Sequence, residues 1–199
     1  MKISKALAKR HFEEAYELAF QTKKRIKPWD KIFELWKIAA IAGHVRAQFH
    51  LGICYDLGNG VDKDSAEAFN WYMKAAEKGK MEAQFNIGFF YMNGELVKQD
   101  YKKAAYWYAL AAKQGDTEAQ RELGYCYYYG YGVKQDYLKA IYWYKKAAGK
   151  NDEKANYNLG LCYEFGDGVA SSNRWAKHYY SKAARLGYKK AIIKLKRLN

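Results

Sequence analysis

The sequence predicts an all-α fold, a solenoid of stacked antiparallel helix pairs with about 11 helices in 199 residues. Two observations lead to this prediction. Residue types recur every 36 residues along most of the chain, which is typical of repeat architectures. The chain also has a single proline, Pro28, which favours long helices over a turn-rich β fold.

The 36-residue period appears in many sets of equivalent positions. Four such columns are Ala47, Ala83, Ala119, Ala155, Ala191; Gly52, Gly88, Gly124, Gly160; Tyr55, Tyr91, Tyr127, Tyr163; and Tyr72, Tyr108, Tyr144, Tyr180. They predict one domain over residues 1–199. Its parts are a degenerate repeat or cap (1–46), four full repeats (47–82, 83–118, 119–154, 155–190) and a capping helix (191–199).

Each repeat is expected to contain two helices, and turn residues mark their ends. Ala47, Leu51 and Tyr55 form one helical stripe, and Gly58 stands where that first helix must stop. Good N-cap residues precede the second helix at Asp64, Asp100, Asp136 and Ser172. Residues that adopt a left-handed conformation then end it at Gly79, Gly115, Asn151 and Gly187.

The glycines inside the first helices predict close packing. A helical glycine costs about 1 kcal/mol relative to alanine, yet Gly52 recurs in all four repeats. The expectation is that the backbone of a neighbouring helix passes closely at this position.

The pattern A-x3-LG-x2-Y-x2-G-x-GV-x2-D-x3-A-x2-WY-x2-AA-x2-G over residues 47–190 resembles the Sel1-like repeat, a relative of the tetratricopeptide repeat with a longer loop. The resemblance implies a right-handed superhelix. It also implies a non-enzymatic adaptor or scaffold that binds a protein or peptide on the concave face formed by the first helices. The short uninterrupted array indicates a bacterial source.

Projecting that implied geometry onto columns that vary between repeats gives the candidate partner-binding residues. They are Phe49, His50, Phe85, Asn86, Phe89, Arg121, Tyr125, Tyr128, Tyr129, Tyr157, Asn158 and Phe165. The phenylalanines fit either a groove wall or packing against the next repeat. Partial exposure is expected for Tyr128, Tyr129 and Tyr157, whose equivalents include charged residues, and Tyr131 is expected to face solvent from a loop.

No catalytic, cofactor or metal site is predicted. Cys54, Cys126 and Cys162 occupy one column that also accepts Phe90, which indicates core positions. The four histidines lack ligand spacing, and no nucleophile–base pairing stands out. The sequence therefore predicts that the protein is not an enzyme and holds no cofactor.

The net charge of +14 lies at the two ends of the chain and supports an alternative function. Residues 174–199 carry nine Lys/Arg and no acid, and residues 1–31 carry nine Lys/Arg against four Asp/Glu. Such ends could bind nucleic acid or an anionic membrane surface. However, the apolar residues of KKAIIKLKRL (189–198) are expected to cap the last repeat, with Lys190, Lys194 and Arg197 outside.

The amino-terminal segment MKISKALAKRHFEEAYELAF has scattered charges and is a poor signal peptide. No apolar stretch is long enough to span a membrane. A cytoplasmic monomer is the expectation, and export without a signal would leave no trace in the sequence. The identity of the partner is not encoded in any motif.

Overall fold

A computed structural model describes residues 3–21 and 26–198, and the all-α fold class is confirmed. In these residues eleven α-helices and one π-helical turn occur, without strands. The helices are α1 Lys5–Tyr16, α2 Trp29–Ile41, α3 Val45–Leu57, α4 Ser65–Glu77, α5 Met81–Asn93, α6 Tyr101–Gln114, α7 Thr117–Tyr129, α8 Tyr137–Ala148, α9 Glu153–Phe165, α10 Asn173–Arg185 and α11 Lys189–Leu198, with the π-helical turn at Glu17–Gln21. Asn199 of the predicted capping helix lies outside the described residues.

The described residues form two compact units. Unit 1 comprises those up to Phe90 together with Glu95–Val97, and unit 2 comprises Tyr91–Gly94 and those from Lys98 onward. In unit 1, α1 and α2 pack against each other, and Trp36 is buried at the position equivalent to Tyr72. In unit 2, successive helices from α6 to α11 pack as antiparallel neighbours.

The predicted N-caps of the second helices are confirmed. The carboxylate of Asp64 accepts hydrogen bonds from the backbone N–H groups of Ala66 and Glu67 at 2.9 and 3.0 Å. Asp100, Asp136 and Ser172 accept the equivalent bonds. These local contacts satisfy N–H groups that the first helical turn leaves unpaired, so the start of each second helix is set by its own sequence.

The predicted left-handed residues also end the second helices. Gly115 has φ 104°, and Asn151 has φ 63°, the one positive value for a non-glycine residue in the described ranges. Because asparagine tolerates this conformation better than most side chains, the third repeat keeps the same chain reversal without glycine.

A tyrosine ring is the nearest neighbour of three glycines inside the first helices, Gly52, Gly124 and Gly160. At Gly124 the expected backbone of the neighbouring helix also lies close, since an added Cβ atom would lie 3.2 Å from the carbonyl oxygen of Ala140. A Cβ atom added to Gly52 would lie 2.6 Å from Cδ1 of Tyr72, and one added to Gly124 would lie 2.6 Å from Cδ1 of Tyr144. Gly160 meets Tyr180 in the same way. The invariant glycine and the invariant tyrosine of each of these repeats therefore form one contact.

The core consists mainly of small side chains around these buried tyrosines. The cysteine column lies within it, since Cys54, Cys126 and Cys162 are all fully buried and free. Burial raises the pKa of each thiol to about 12. A neutral thiol packs as a small apolar group, which explains why Phe90 can occupy this column.

A buried glutamine connects each of three first helices to the end of the preceding helix. Nε2 of Gln48, Gln84 and Gln120 donates a hydrogen bond of 3.1 Å to a backbone carbonyl eight residues earlier. Each of these carbonyls also accepts a bond from the backbone N–H of the glycine three residues later, so the glutamine adds a second hydrogen bond at the helix end. Three identical residues at 36-residue spacing are the signal by which the sequence could have revealed this contact.

Candidate protein-binding surface

Six tyrosines of unit 2 form a continuous cluster of rings, called here the tyrosine cluster. Its members are Tyr101, Tyr125, Tyr128, Tyr129, Tyr131 and Tyr137. The ring centroids of Tyr125 and Tyr129 lie 4.6 Å apart, and Tyr129 stacks on Tyr131 at 5.6 Å. Such tilted and offset arrangements are favourable for aromatic pairs. The cluster holds the exposed rings in fixed positions before any partner arrives.

The cluster contains both exposed and internally bonded side chains. Tyr129 is 50% exposed, whereas Tyr125 and Tyr128 are half-buried. The hydroxyl of Tyr128 donates a hydrogen bond to Asp167 in the loop after α9, and burial followed by this carboxylate raises the pKa of Tyr128. Tyr128 thus links two repeats, and Tyr129 is the member most available to a partner.

Tyr131 does not face solvent as the sequence suggested. Its ring stacks on Tyr101 with 4.7 Å between centroids, and the side chain is half-buried. The following glycine, Gly132, touches the backbone carbonyl of Tyr101, so the loop after α7 lies against the start of α6. A glycine is required here because any side chain would collide with that backbone.

A small cavity opens beside Tyr129, between α7 and α9. It has a volume of about 30 Å³, and its lining residues are Tyr125, Tyr128, Tyr129, Tyr144, Asn158 and Leu161. The walls are aromatic and aliphatic, and the Asn158 amide adds hydrogen-bonding groups. Such a cavity has room for a methyl group or one water molecule.

The remaining candidates on α9 differ in exposure. Phe165 is 62% exposed at the end of the helix, with the Lys194 ammonium 5.3 Å from its ring centroid. Tyr157 is half-buried, because its ring packs on Tyr180 at 5.4 Å and on Tyr188 at 5.1 Å. Phe165 therefore extends the exposed aromatic surface, and Tyr157 mainly supports the fold.

Arg121 lies inside unit 2, in contrast to the other candidates. The residue is 8% exposed, and Nη1 donates to Asp152 at 2.8 Å while Nη2 donates to Glu122 at 2.8 Å. Burial alone would lower the pKa of Arg121, but the two carboxylates raise it overall. The guanidinium joins α7 to the cap of α9, so it is not available to a partner.

The candidates of unit 1 divide between packing and exposure. Phe49 is half-buried, with its ring 5.7 Å from Tyr72, and Phe85 is also half-buried. Phe89 is 47% exposed. The Asn86 side chain shares a hydrogen bond with the Tyr72 hydroxyl. Of the two alternatives left by the sequence, packing applies to Phe49, and exposure applies to Phe89.

His50 is enclosed by aromatic rings from α1, α2 and α3. Its imidazole stacks on Trp36 with 4.6 Å between centroids and a 16° interplanar angle. Burial is the largest cause that lowers the pKa of His50 to about 4, and the charges of Arg46 and Lys80 act in the same direction. The imidazole is therefore neutral near pH 7 and packs as an aromatic ring.

We expect His50 to make the stability of the protein depend on pH. Its pKa in the folded state is about 4, below the 6.5 of an unperturbed histidine, so the unfolded chain binds more protons between these values. The free energy of unfolding should fall as the pH is lowered from about 6.5 to about 4. His50→Asn, the residue type at positions 86 and 158, should reduce this dependence.

Urea unfolding at a series of pH values measures the effect. The matched control is His178→Asn, which makes the same substitution at an exposed histidine of α10. Equal pH dependence in the wild type and the His50→Asn variant would contradict the proposed environment of His50.

The structure also reveals exposed aromatic residues that the sequence reasoning missed. Tyr106 and Tyr142 occupy one column on the second helices and are 59% and 51% exposed. Each ring meets the following tryptophan edge-on, at 5.3 Å for Trp107 and 5.0 Å for Trp143. Two tyrosines at 36-residue spacing were visible in the sequence, but it contains no signal for their orientation.

The described residues contain no group of three or more His, Cys, Asp or Glu side chains arranged to hold a metal ion. Across the same residues, no helix has both the length and the apolar character required to cross a membrane.

Pairs of helices recur every 36 residues, and the loop inside each pair is longer than the loop between pairs. This arrangement defines a helical-repeat protein. A family model described as the Sel1 repeat matches residues 45–80, 82–116, 117–152 and 153–188. The chain therefore belongs to the Sel1 repeat family, as its sequence pattern predicted.

Solved structures give the same result. A protective antigen of uropathogenic Escherichia coli is 36% identical with a TM-score of 0.87, over 94% of this chain and 40% of that one. A Sel1 repeat protein from Oxalobacter formigenes is 34% identical with a TM-score of 0.81, over 94% and 76%. An immunity protein from Pseudomonas aeruginosa is 26% identical with a TM-score of 0.53, over 92% and 67%. Curated protein sequences give no match.

This chain thus spans less than half of the E. coli protein. The similar proteins come from bacteria, in agreement with the bacterial source suggested by the sequence. Sel1 repeat proteins generally act as protein–protein interaction modules and as non-enzymatic scaffolds.

Proposed function

We propose that the protein is a non-enzymatic interaction module that binds a protein or peptide partner, with one contact surface on α7 and α9 of unit 2. The single observation that carries the proposal is the 50% exposure of Tyr129 at the wall of a cavity. Phe165, 62% exposed, follows one helical turn after Leu161 of the same cavity. Exposed aromatic side chains in fixed positions are frequent hot spots of binding, since they bury much area and lose little conformational entropy.

The chemistry of this surface favours an apolar segment of a partner. The cavity beside Tyr129 accepts a methyl-sized group, and the Asn158 amide at its wall can hydrogen-bond to a peptide backbone. Tyr125 and Tyr128 fix the walls through ring contacts and the hydrogen bond to Asp167. The partner is thus expected to place a small aliphatic side chain in the cavity.

Relationship to other proteins supports the class of partner. Sel1 repeat proteins bind proteins, and an immunity protein with this fold is 26% identical to the chain. In unit 1, the exposed Phe89 with its neighbours Phe85 and Asn86 would provide a second contact surface of similar character. A cytoplasmic, monomeric state of the protein remains part of this proposal.

Selection from a phage-displayed library of random peptides tests the proposal. Peptides enriched on the wild-type protein are expected to share a small aliphatic anchor residue and to lose at least about tenfold in affinity for Tyr129→Ser, as removal of a hot-spot side chain does. The matched control is Tyr142→Ser, because Tyr142 is 51% exposed on the second-helix side of unit 2. Peptides that bind the Tyr129→Ser variant as tightly as the wild type would refute the placement of the surface.

A further inference from the structure

Helix α11 presents isoleucine and basic side chains together on its outer face. Ile192 and Ile193 are 42% and 53% exposed, and Lys189 and Lys196 complete a stripe with i, i+3, i+4, i+7 spacing. The apolar residues that pack against α9 and α10 are Ala191, Leu195 and Leu198. The expectation that capping explains every apolar residue of this helix was therefore wrong.

A half-buried ion pair fixes the rotation of α11. Nζ of Lys194 lies 2.8 and 2.9 Å from the two carboxylate oxygens of Glu164, which also accepts a hydrogen bond from the Tyr180 hydroxyl. Lys194 thus faces inward, contrary to its predicted place on the outer face. Rolling the helix to bury the isoleucines would break this ion pair.

The surroundings of the two isoleucines are basic. Residues 168–199 contain no Asp or Glu. Exposed side chains of α11 and the end of α10 form what we call the α11 face, which consists of Arg185, Leu186, Lys189, Lys190, Ile192, Ile193, Lys196 and Arg197. This combination of aliphatic and basic groups without any acid requires an occupant that is both apolar and anionic.

Neither another helix pair nor a second copy of the chain fits the α11 face. Lys196 stands at the position equivalent to Gly124 and Gly160, where the following helix packs its tyrosine ring, and a lysine at this position would collide with such a ring. Two copies meeting through this face would oppose Lys189, Lys190, Lys196 and Arg197 with the same charges, and unpaired like charges at an interface are unfavourable.

Single-stranded nucleic acid would match the charge of the α11 face but not its isoleucines. Proteins that bind single strands use aromatic rings on which bases stack, and an isoleucine offers no such ring. Transfer of exposed aliphatic side chains from water to an apolar phase lowers the free energy. Electrostatic attraction between the surrounding basic side chains and anionic headgroups at the same surface is also favourable.

The geometry points to peripheral binding of an anionic lipid surface by the α11 face. Ile192 and Ile193 enter the boundary between headgroups and acyl chains, and the surrounding Lys and Arg side chains contact phosphate groups. The helix lies in the plane of the membrane, as amphipathic helices of this composition do.

Flotation with lipid vesicles tests this inference. The full chain is expected to bind vesicles of phosphatidylglycerol and phosphatidylcholine, and to bind less to phosphatidylcholine alone and at higher salt. The double variant Ile192→Asn/Ile193→Asn keeps every charge and should lose about tenfold or more in vesicle affinity. The matched control is Leu138→Asn, since Leu138 is 69% exposed on α8 and should leave affinity unchanged.

A labelled variant provides a measurement that does not depend on loss of binding. Ile193→Cys can carry an environment-sensitive fluorophore, because the three native thiols are buried. Its emission should shift to the blue with anionic vesicles. Equal vesicle binding by the double isoleucine variant, or no spectral shift, would overturn the inference. Binding of a single-stranded oligonucleotide without vesicle binding would assign the face to nucleic acid, and an isoleucine-dependent dimer would assign it to a second copy.

Discussion

The variant Gly124→Ala is expected to be less stable than the wild type by about 2–4 kcal/mol. The new Cβ atom would lie 2.6 Å from Cδ1 of Tyr144 and 3.2 Å from the carbonyl oxygen of Ala140. Tyr144 is 2% exposed in the core, so its ring has no free space into which it can move. Alanine gains about 1 kcal/mol in helix propensity, which the collision outweighs. Urea unfolding followed by circular dichroism measures the difference.

Gly149→Ala is the control for this substitution. Gly149 is exposed, has helical φ −64°, and a Cβ atom there would meet nothing closer than 3.4 Å. Alanine at this position should leave the free energy of unfolding unchanged or raise it slightly. Equal free energies of unfolding for the two alanine variants would contradict the explanation that the Tyr144 ring excludes a side chain at position 124.

Arg121→Met is expected to lower the free energy of unfolding by about 3–5 kcal/mol. The substitution removes the guanidinium and leaves the carboxylate of Asp152, a residue that is 8% exposed, without its partner on α7. Burial of an uncompensated charge is what makes loss of one member of such a pair unfavourable. Thermal or urea unfolding of the purified variant gives the value.

A second substitution distinguishes the effect of the uncompensated charge on stability from the effect of the changed side-chain shape. In Arg121→Met/Asp152→Asn the uncompensated carboxylate becomes a neutral amide that can still cap α9, so much of the lost stability should return. The exposed pair of Lys103 and Asp100, 3.9 Å apart, serves as the reference, and Lys103→Met should change stability by less than about 1 kcal/mol. A similar loss for Arg121→Met and Lys103→Met would contradict the buried environment of Arg121.

The sequence predicted the helices well because their ends depend on neighbouring residues. Asp64 and Ser172 cap the helix that begins one residue later, and Asn151 reverses the chain where it stands. Both effects arise within a few residues, so a single sequence contains the information. Because of the 36-residue spacing, each local signal occurs in four repeats.

Contacts between elements were less predictable from the same columns. A column shows that equivalent residues share an environment, but it does not identify the residue that packs against them. The ring of Tyr144, which lies closer to Gly124 than the backbone of Ala140 does, was therefore missed. Arg121 was placed in a groove because its column varies, while its partner Asp152 lies 31 positions away in a different column. Lys194 was assigned to the outer face because a solenoid requires polar ends, while its partner Glu164 lies 30 positions away.

The glutamine hydrogen bond constrains how a chain of this kind can change in length. Its donor and acceptor are eight residues apart in the case of Gln120 and Ala112, and the same spacing recurs for Gln48 and Gln84. Duplication of a 36-codon segment carries a complete bond into the new copy. Insertion of a single codon between the donor and acceptor positions breaks one such hydrogen bond and leaves a buried glutamine amide without its acceptor. Genes for such proteins are therefore expected to lengthen and shorten by whole repeats.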